Sequence, residues 1–149
     1  MSVTYVIIAI TAITSILALN NRQFSDKLLF SPYMIHSHRQ GYRFLSHALV
    51  HGDWMHLLVN MFVLLSFGRM VEMYFGMFFV IKGAYLFTLL YVGGIVLSST
   101  PSYAKYKSDP HYRAVGASGA VSAIVFASII IQPLSPIRFV FIPVDIPAF

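Results

Sequence analysis

The stretch RAVGASGAVSAIVFASIII, residues 113–131, makes two demands at once. From Ala120 onward it holds no charged residue and is mostly Ala, Val, Ile and Phe. About 20 such residues are what a helix needs to cross the hydrocarbon core of a bilayer. Its first part sets two hydroxyls, Ser118 and Ser122, among Gly116, Ala117, Gly119 and Ala120. Gly119, Ala123 and Ala127 recur every fourth residue, a small-residue stripe against which a second helix packs closely. Pro133 and Pro136 close the segment, so a span is expected over residues 114–132.

Composition extends that reading to the whole chain. Its 149 residues are 58% hydrophobic and only 10% charged, with a mean hydropathy of +0.75. Charged residues make up about 25% of a soluble domain. A chain this apolar has too little core to hide its surface, so lipid must cover much of it. The formal charge is +5. The ten basic residues are scattered singly rather than gathered in a stripe, which argues against nucleic acid and fits anionic headgroups. The absence of cysteine excludes disulfides, thiol nucleophiles and Cys-ligated zinc.

Working outward, residues 3–19 read as a first span. No Lys or Arg precedes Arg22, so a cleaved signal with a basic leader is the weaker reading. Residues 20–54 mix Phe24, Leu28, Phe30, Phe44 and Leu49 with polar groups and read as a segment embedded in the interface. Further spans are expected over residues 54–75 and 77–99. A fifth hydrophobic stretch begins near Phe139 and is expected to open another span, with the chain stopping inside it. Loop charge conflicts with a cytoplasmic N-terminus. That orientation puts Arg22, Lys27, Arg39, Arg43, Lys105, Lys107 and Arg113 outside, and only Arg69, Lys82 and Arg138 inside.

Polar groups in the spans are the functional candidates. His56 and Asn60, four residues apart, share one helical face near the start of the second span. Ser118 lies near the start of the fourth. One span separates these two, so both starts lie on the same side of the membrane, and the three side chains can meet at similar depth. A serine near hydrogen-bond donors suits acyl transfer: a base takes its proton, and donors hold the oxyanion that forms. Each residue also has a plainer reading. A membrane serine most often bonds back to its own helix or spaces a helix pair. Asn60 reads equally as interhelical glue, and His56 as a satisfied polar group. His47 and His51 are also four apart, but no H-E-x-x-H accompanies them, which argues against a metalloprotease. Glu72 and Lys82, flanking the turn between the second and third spans, read as solvated or paired.

Taken together the motifs are far more specific. The run SHALVHGDWMHLLVNMFVLLSFGRMVEMYFG resembles the rhomboid intramembrane serine proteases. It carries that family's His47, His51, His56 and Asn60 spacing, then Gly68, Glu72 and Gly76, then Gly116-Ala117-Ser118-Gly119. The resemblance covers almost all of residues 1–149. It implies an all-α polytopic transmembrane bundle with a six-helix core, of which about four spans and the start of the fifth are present, as one membrane domain incomplete at its C-terminus. Ser118 would be the nucleophile. His56, Asn60 and the Ser118 amide would stabilise the oxyanion, and His47 and His51 would hold the first loop. The substrates would be other transmembrane proteins, cut near the bilayer surface, with no metal, cofactor or nucleic acid involved. The address would be a bacterial inner membrane, with the N-terminus in the cytoplasm.

Three departures qualify the resemblance. The family's general base is a histidine of the sixth span, and none follows His111 here. Ser122 stands where many members carry tyrosine, and Tyr42-Arg43 replaces the common Trp-Arg. A catalytically inactive, client-binding relative is the alternative, although such relatives typically lose the serine or the oxyanion residues. The 149-residue chain by itself is therefore expected to cleave nothing. Incubation with a transmembrane substrate in detergent checks this, and turnover would locate a base within the chain.

Overall fold

The structure is a computed structural model that describes residues 2–133, 137–139 and 142–146. The first span is α1 (Val3–Asn20), an unbroken apolar helix. The segment expected at the interface folds into short pieces: α2 (Arg22–Leu28), α3 (Pro32–His38), α4 (Arg43–Ser46) and a single 3-10 turn, His47–Leu49. Local chemistry sets their boundaries. Asn21 caps α2 through Phe24 N–H, and Ser31 caps α3 through Met34 N–H, with Pro32 in the first turn, where its missing N–H costs nothing. This segment is neither a span nor a plain loop, as its mixed composition required.

The second long helix runs Trp54–Phe79. It comprises α5 (Trp54–Val63), a π-helical turn (Leu64–Gly68) and α6 (Arg69–Phe79). Asp53 caps it, accepting from His56 N–H at 2.7 Å. The third span is α7 (Gly83–Tyr106) and the fourth α8 (Ser118–Ile131). Three of these helices are long and apolar enough to cross a membrane, while α8 is shorter. The all-α bundle expected from composition is thus present, with shifted bounds. The second helix runs on to Phe79 rather than ending at 75, so the third begins at Gly83 rather than 77. The fourth begins at Ser118 rather than 114, because the residues before it pair with the first loop instead of coiling.

The stretch expected to open a fifth span does not coil. Residues Ile137–Phe139 (β1) and Ile142–Ile146 (β2) form an antiparallel pair. Pro143 lacks the N–H a helix interior needs, and Ile, Val and Phe favour extended backbone. Residues 140–141 and 147–149 of that stretch lie outside the described residues.

The core is a seam of Leu64, Phe67, Val71, Phe87, Tyr91 and Ile124, contributed by all three later helices. Helices α7 and α8 approach most closely. A Cβ on Gly94 would stand 2.9 Å from Ala120 Cα and Ala123 Cβ, and one on Gly119 would collide with Ser98. The small-residue stripe therefore meets a matching small surface on α7. Glu72 is paired, as expected, but through an unforeseen contact: it turns onto the first turn of α1. Its carboxylate accepts from Ser2 Oγ at 2.6 Å, Val3 N at 2.6 Å, and Thr4 Oγ1 and N at 2.8 and 3.2 Å. These N–H groups have no acceptor within α1, and a carboxylate there also suits the positive end of the helix. Gly68 makes room, since a Cβ would sit 3.0 Å from Thr4 Cγ2. Glu72→Ala strips four bonds from that terminus and should destabilise the bundle by about 2 kcal/mol or more. Denaturation in detergent measures this, and an unchanged midpoint would show that α1 is held by apolar packing alone.

Candidate active site

The site is built where the first loop, the start of α5 and the start of α8 converge. Three backbone ties secure the residues preceding α8. Phe30 and Ala114 form a two-way bridge, N–H to carbonyl, at 2.9 and 3.0 Å. Gly116 N–H donates to His47 carbonyl at 2.9 Å. Ala117 N–H points at His51 Nε2 across 3.5 Å. Outside these, Arg113 pairs with Asp26 at 3.1 Å on the exposed rim.

The loop that makes these ties is itself braced by Arg43. This buried guanidinium donates to the carbonyls of Asp26 and Leu29 at 3.0 and 2.7 Å and to Gln40 Oε1 at 2.6 Å. Its neighbour Tyr42 donates to Lys27 carbonyl at 3.0 Å, so the Tyr-Arg pair crosses the loop at two points. His47 sits beneath, its Nδ1 3.0 Å from Arg43 carbonyl and its Nε2 3.3 Å from Ser99 Oγ on α7.

Gly116 holds φ at +109°, a conformation L side chains rarely adopt. That turn ends the extended segment and lets α8 begin at Ser118. It also clears space, because a Cβ at 116 would lie 2.6 Å from His56 Cε1. The His56 ring consequently lies over the glycine, with Nε2 3.1 Å from Ser118 Oγ. Asn60, one turn further along α5, donates to His56 carbonyl at 3.0 Å and reaches Ser118 Oγ at 3.4 Å. The structure thus brings together the three residues singled out in the sequence. Ser118 is exposed, His56 half-buried and Asn60 buried. Ser122, one turn on, is exposed.

As the first residue of α8, Ser118 presents an N–H that has no acceptor within its own helix. The residue before it is Ala117, whose side chain offers no cap. A hydroxyl beside an imidazole nitrogen, a carboxamide and an open helix terminus is an arrangement that can support attack on a carbonyl and hold the resulting oxyanion.

A model of the Rhomboid domain matches residues 38–149. The chain belongs to the rhomboid family. No curated protein and no solved structure matches it. The matched region takes in the histidine-rich loop, α5 to α8 and all three converging side chains, while α1 precedes it. In this rhomboid chain His47 and His51 contact different partners. Among the described residues no three His, Cys, Asp or Glu side chains gather as a metal set.

Several contributors escaped the sequence reading. Asp53 had a usable signal, an N-cap residue just ahead of an apolar helix. Ser15 of α1, which bonds His51, and Ser99 of α7, which bonds His47, had none: each looks like any serine inside a span.

Burial first, then nearby His56, with Asp53 opposing, together lower the His51 pKa to about 4. Burial also holds His47 below its ordinary value of 6.5, opposed by its bond to Arg43 carbonyl. Between about pH 4 and 6.5 the unfolded chain therefore binds more protons than the folded one, so stability falls as pH drops through that window. Thermal unfolding in detergent from about pH 7 to about pH 4 should show this loss. His51→Gln should flatten the slope, and a slope unaffected by it would place the titration elsewhere.

Proposed function

We propose that this chain carries the serine and oxyanion side of an intramembrane serine endopeptidase. Ser118 is the nucleophile. Asn60 Nδ2, His56 and the Ser118 amide are the donors that receive the oxyanion. The observation that carries this reading is the convergence of His56 Nε2 and Asn60 Nδ2 on Ser118 Oγ, at 3.1 and 3.4 Å. Family membership supports the reaction class, since rhomboids are usually intramembrane serine proteases. Attack requires that the Ser118 proton leave. The resemblance assigns that task to a sixth-span histidine, and turnover by residues 1–149 alone would transfer it to His56.

Geometry supports a substrate that is itself membrane-bound. Helix α8 has 14 residues, a length of about 21 Å at 1.5 Å per residue. A hydrocarbon core is about 30 Å thick. With Gln132 at one face of the bilayer, Ser118 lies some way inside the other, next to backbone that the first loop holds. A peptide bond reaching that depth belongs to a chain already in or at the membrane. We therefore read the partners as transmembrane proteins, and the address as a bacterial inner membrane, with the serine end of α8 toward the outside.

In the full-length protein a fluorophosphonate should label Ser118, and Ser118→Ala should abolish both labelling and cleavage of a transmembrane substrate. Asn60→Ala should slow cleavage by about 10²-fold, the usual cost of one oxyanion donor. Cleavage that survives Ser118→Ala would remove the nucleophile assignment and place the nucleophile elsewhere, whereas wild-type protein that binds such a substrate without cutting it would favour the client-binding alternative.

A further inference from the structure

Three buried polar residues, Thr4, Thr11 and Ser15, lie on one side of α1, an otherwise apolar helix. Thr4 is accounted for by Glu72. Ser15 is fully buried, and its bonds run toward the loop beneath the candidate site. A serine inside a helix ordinarily donates to the carbonyl four residues back. Ser15 Oγ donates instead to Leu49 carbonyl, at 2.8 Å, and lies equally close, 2.8 Å, to His51 Nδ1.

The hydrogen count settles the direction of this chain. A serine hydroxyl has one proton, and here Leu49 carbonyl receives it. The remaining contact requires His51 Nδ1 to carry a hydrogen and donate to Ser15. A neutral imidazole protonated at Nδ1 is bare at Nε2. Ala117 N–H is the group facing Nε2, at 3.5 Å. Every donor is matched: Ala117 N–H to His51 Nε2, His51 Nδ1–H to Ser15 Oγ, Ser15 O–H to Leu49 carbonyl. A proton on Nε2 would instead point an N–H at the Ala117 N–H and leave Nδ1 without a donor from Ser15.

We propose that Ser15 is a positioning residue for the candidate active site: by holding His51 in the Nδ1–H form, it fixes the backbone at Ala117 and so the placement of Ser118. Ser15 touches neither Ser118 nor substrate. Its effect passes through a ring that also packs edge-on against His56, with centroids 4.9 Å apart at 78°. One ring therefore orients both the residue before the nucleophile and the imidazole beside it. His51 is 2% exposed, which shields this arrangement from solvent exchange. The inference rests on the protease reading for its functional consequence, but the tautomer it assigns is a property of the fold.

The test uses the full-length protein in detergent. Nitrogen-15 NMR of the histidine rings should show His51 protonated at Nδ1 and bare at Nε2. In Ser15→Ala the proton should move to Nε2. Fluorophosphonate labelling of Ser118 and the kcat of cleavage should fall about ten- to a hundredfold in Ser15→Ala, the range that small misplacements cost, with KM little changed. Ser15→Thr and Ser15→Val have matching shapes and separate the hydroxyl from packing: Thr should recover the wild-type tautomer and most of the rate, and Val should not. A wild-type His51 carrying its proton on Nε2 overturns the proposal. So does labelling of Ser15→Ala at the wild-type rate, or a threonine variant no better than the valine one. If wild-type Ser118 fails to label at all, the protease reading falls, and the ring nitrogens still decide the role of Ser15.

Discussion

The placement of Ser118 depends on the hydrogen bonds that tie the backbone of residues 114–117 to the first loop. An extended segment packed away from water has peptide groups that must find partners, because unsatisfied ones cost several kcal/mol each there. Here Phe30, His47 and His51 supply them. The consequence is mechanical. Helix α8 cannot start earlier, its first residue is a serine, and no side chain at the N-cap takes up its first N–H groups. The loop in turn must be rigid enough to act as an anchor, which explains why a guanidinium is buried at Arg43 with carbonyls around it.

The rest of the bundle can be read as support for that anchor. Helix α1 is pinned at its start by Glu72 and, about three turns later, contributes Ser15 to the loop, so one helix connects the far end of the molecule to the candidate site. Helix α7 contributes Ser99 beneath His47 and the flat Gly94–Ser98 surface against which α8 lies. The site residues themselves are few and conventional in chemistry. Their arrangement comes from contacts made by residues that do no chemistry.

The sequence disclosed the bundle, a mixed segment that is neither a span nor a plain loop, and the trio His56, Asn60 and Ser118, because each left a local trace: apolar length, mixed polarity, or motif and spacing. It misjudged the onset of α8 by four residues, since apolar composition does not distinguish a coiled Ala-Val-Gly-Ala from an extended one. It also read the stretch from about Phe139 as the opening of another span, where Pro143 and β-branched neighbours favour paired strands. Glu72 was foreseen as solvated or paired, and its actual partner lies some 70 residues away in the chain.

What the sequence by itself determined was the solvent and the candidate trio: a chain this apolar must sit in lipid, and a serine among glycines at the head of one span, with His and Asn on a parity-matched span, stands out by motif and spacing. Tertiary structure alone decided which other serines brace the candidate site. Ser15 and Ser99 look like any serine in an apolar helix, and they differ only in what faces them. A hydrogen bond is set by position and direction in space, to within a few tenths of an ångström, and no periodicity along one helix encodes what a different helix or loop will present to it.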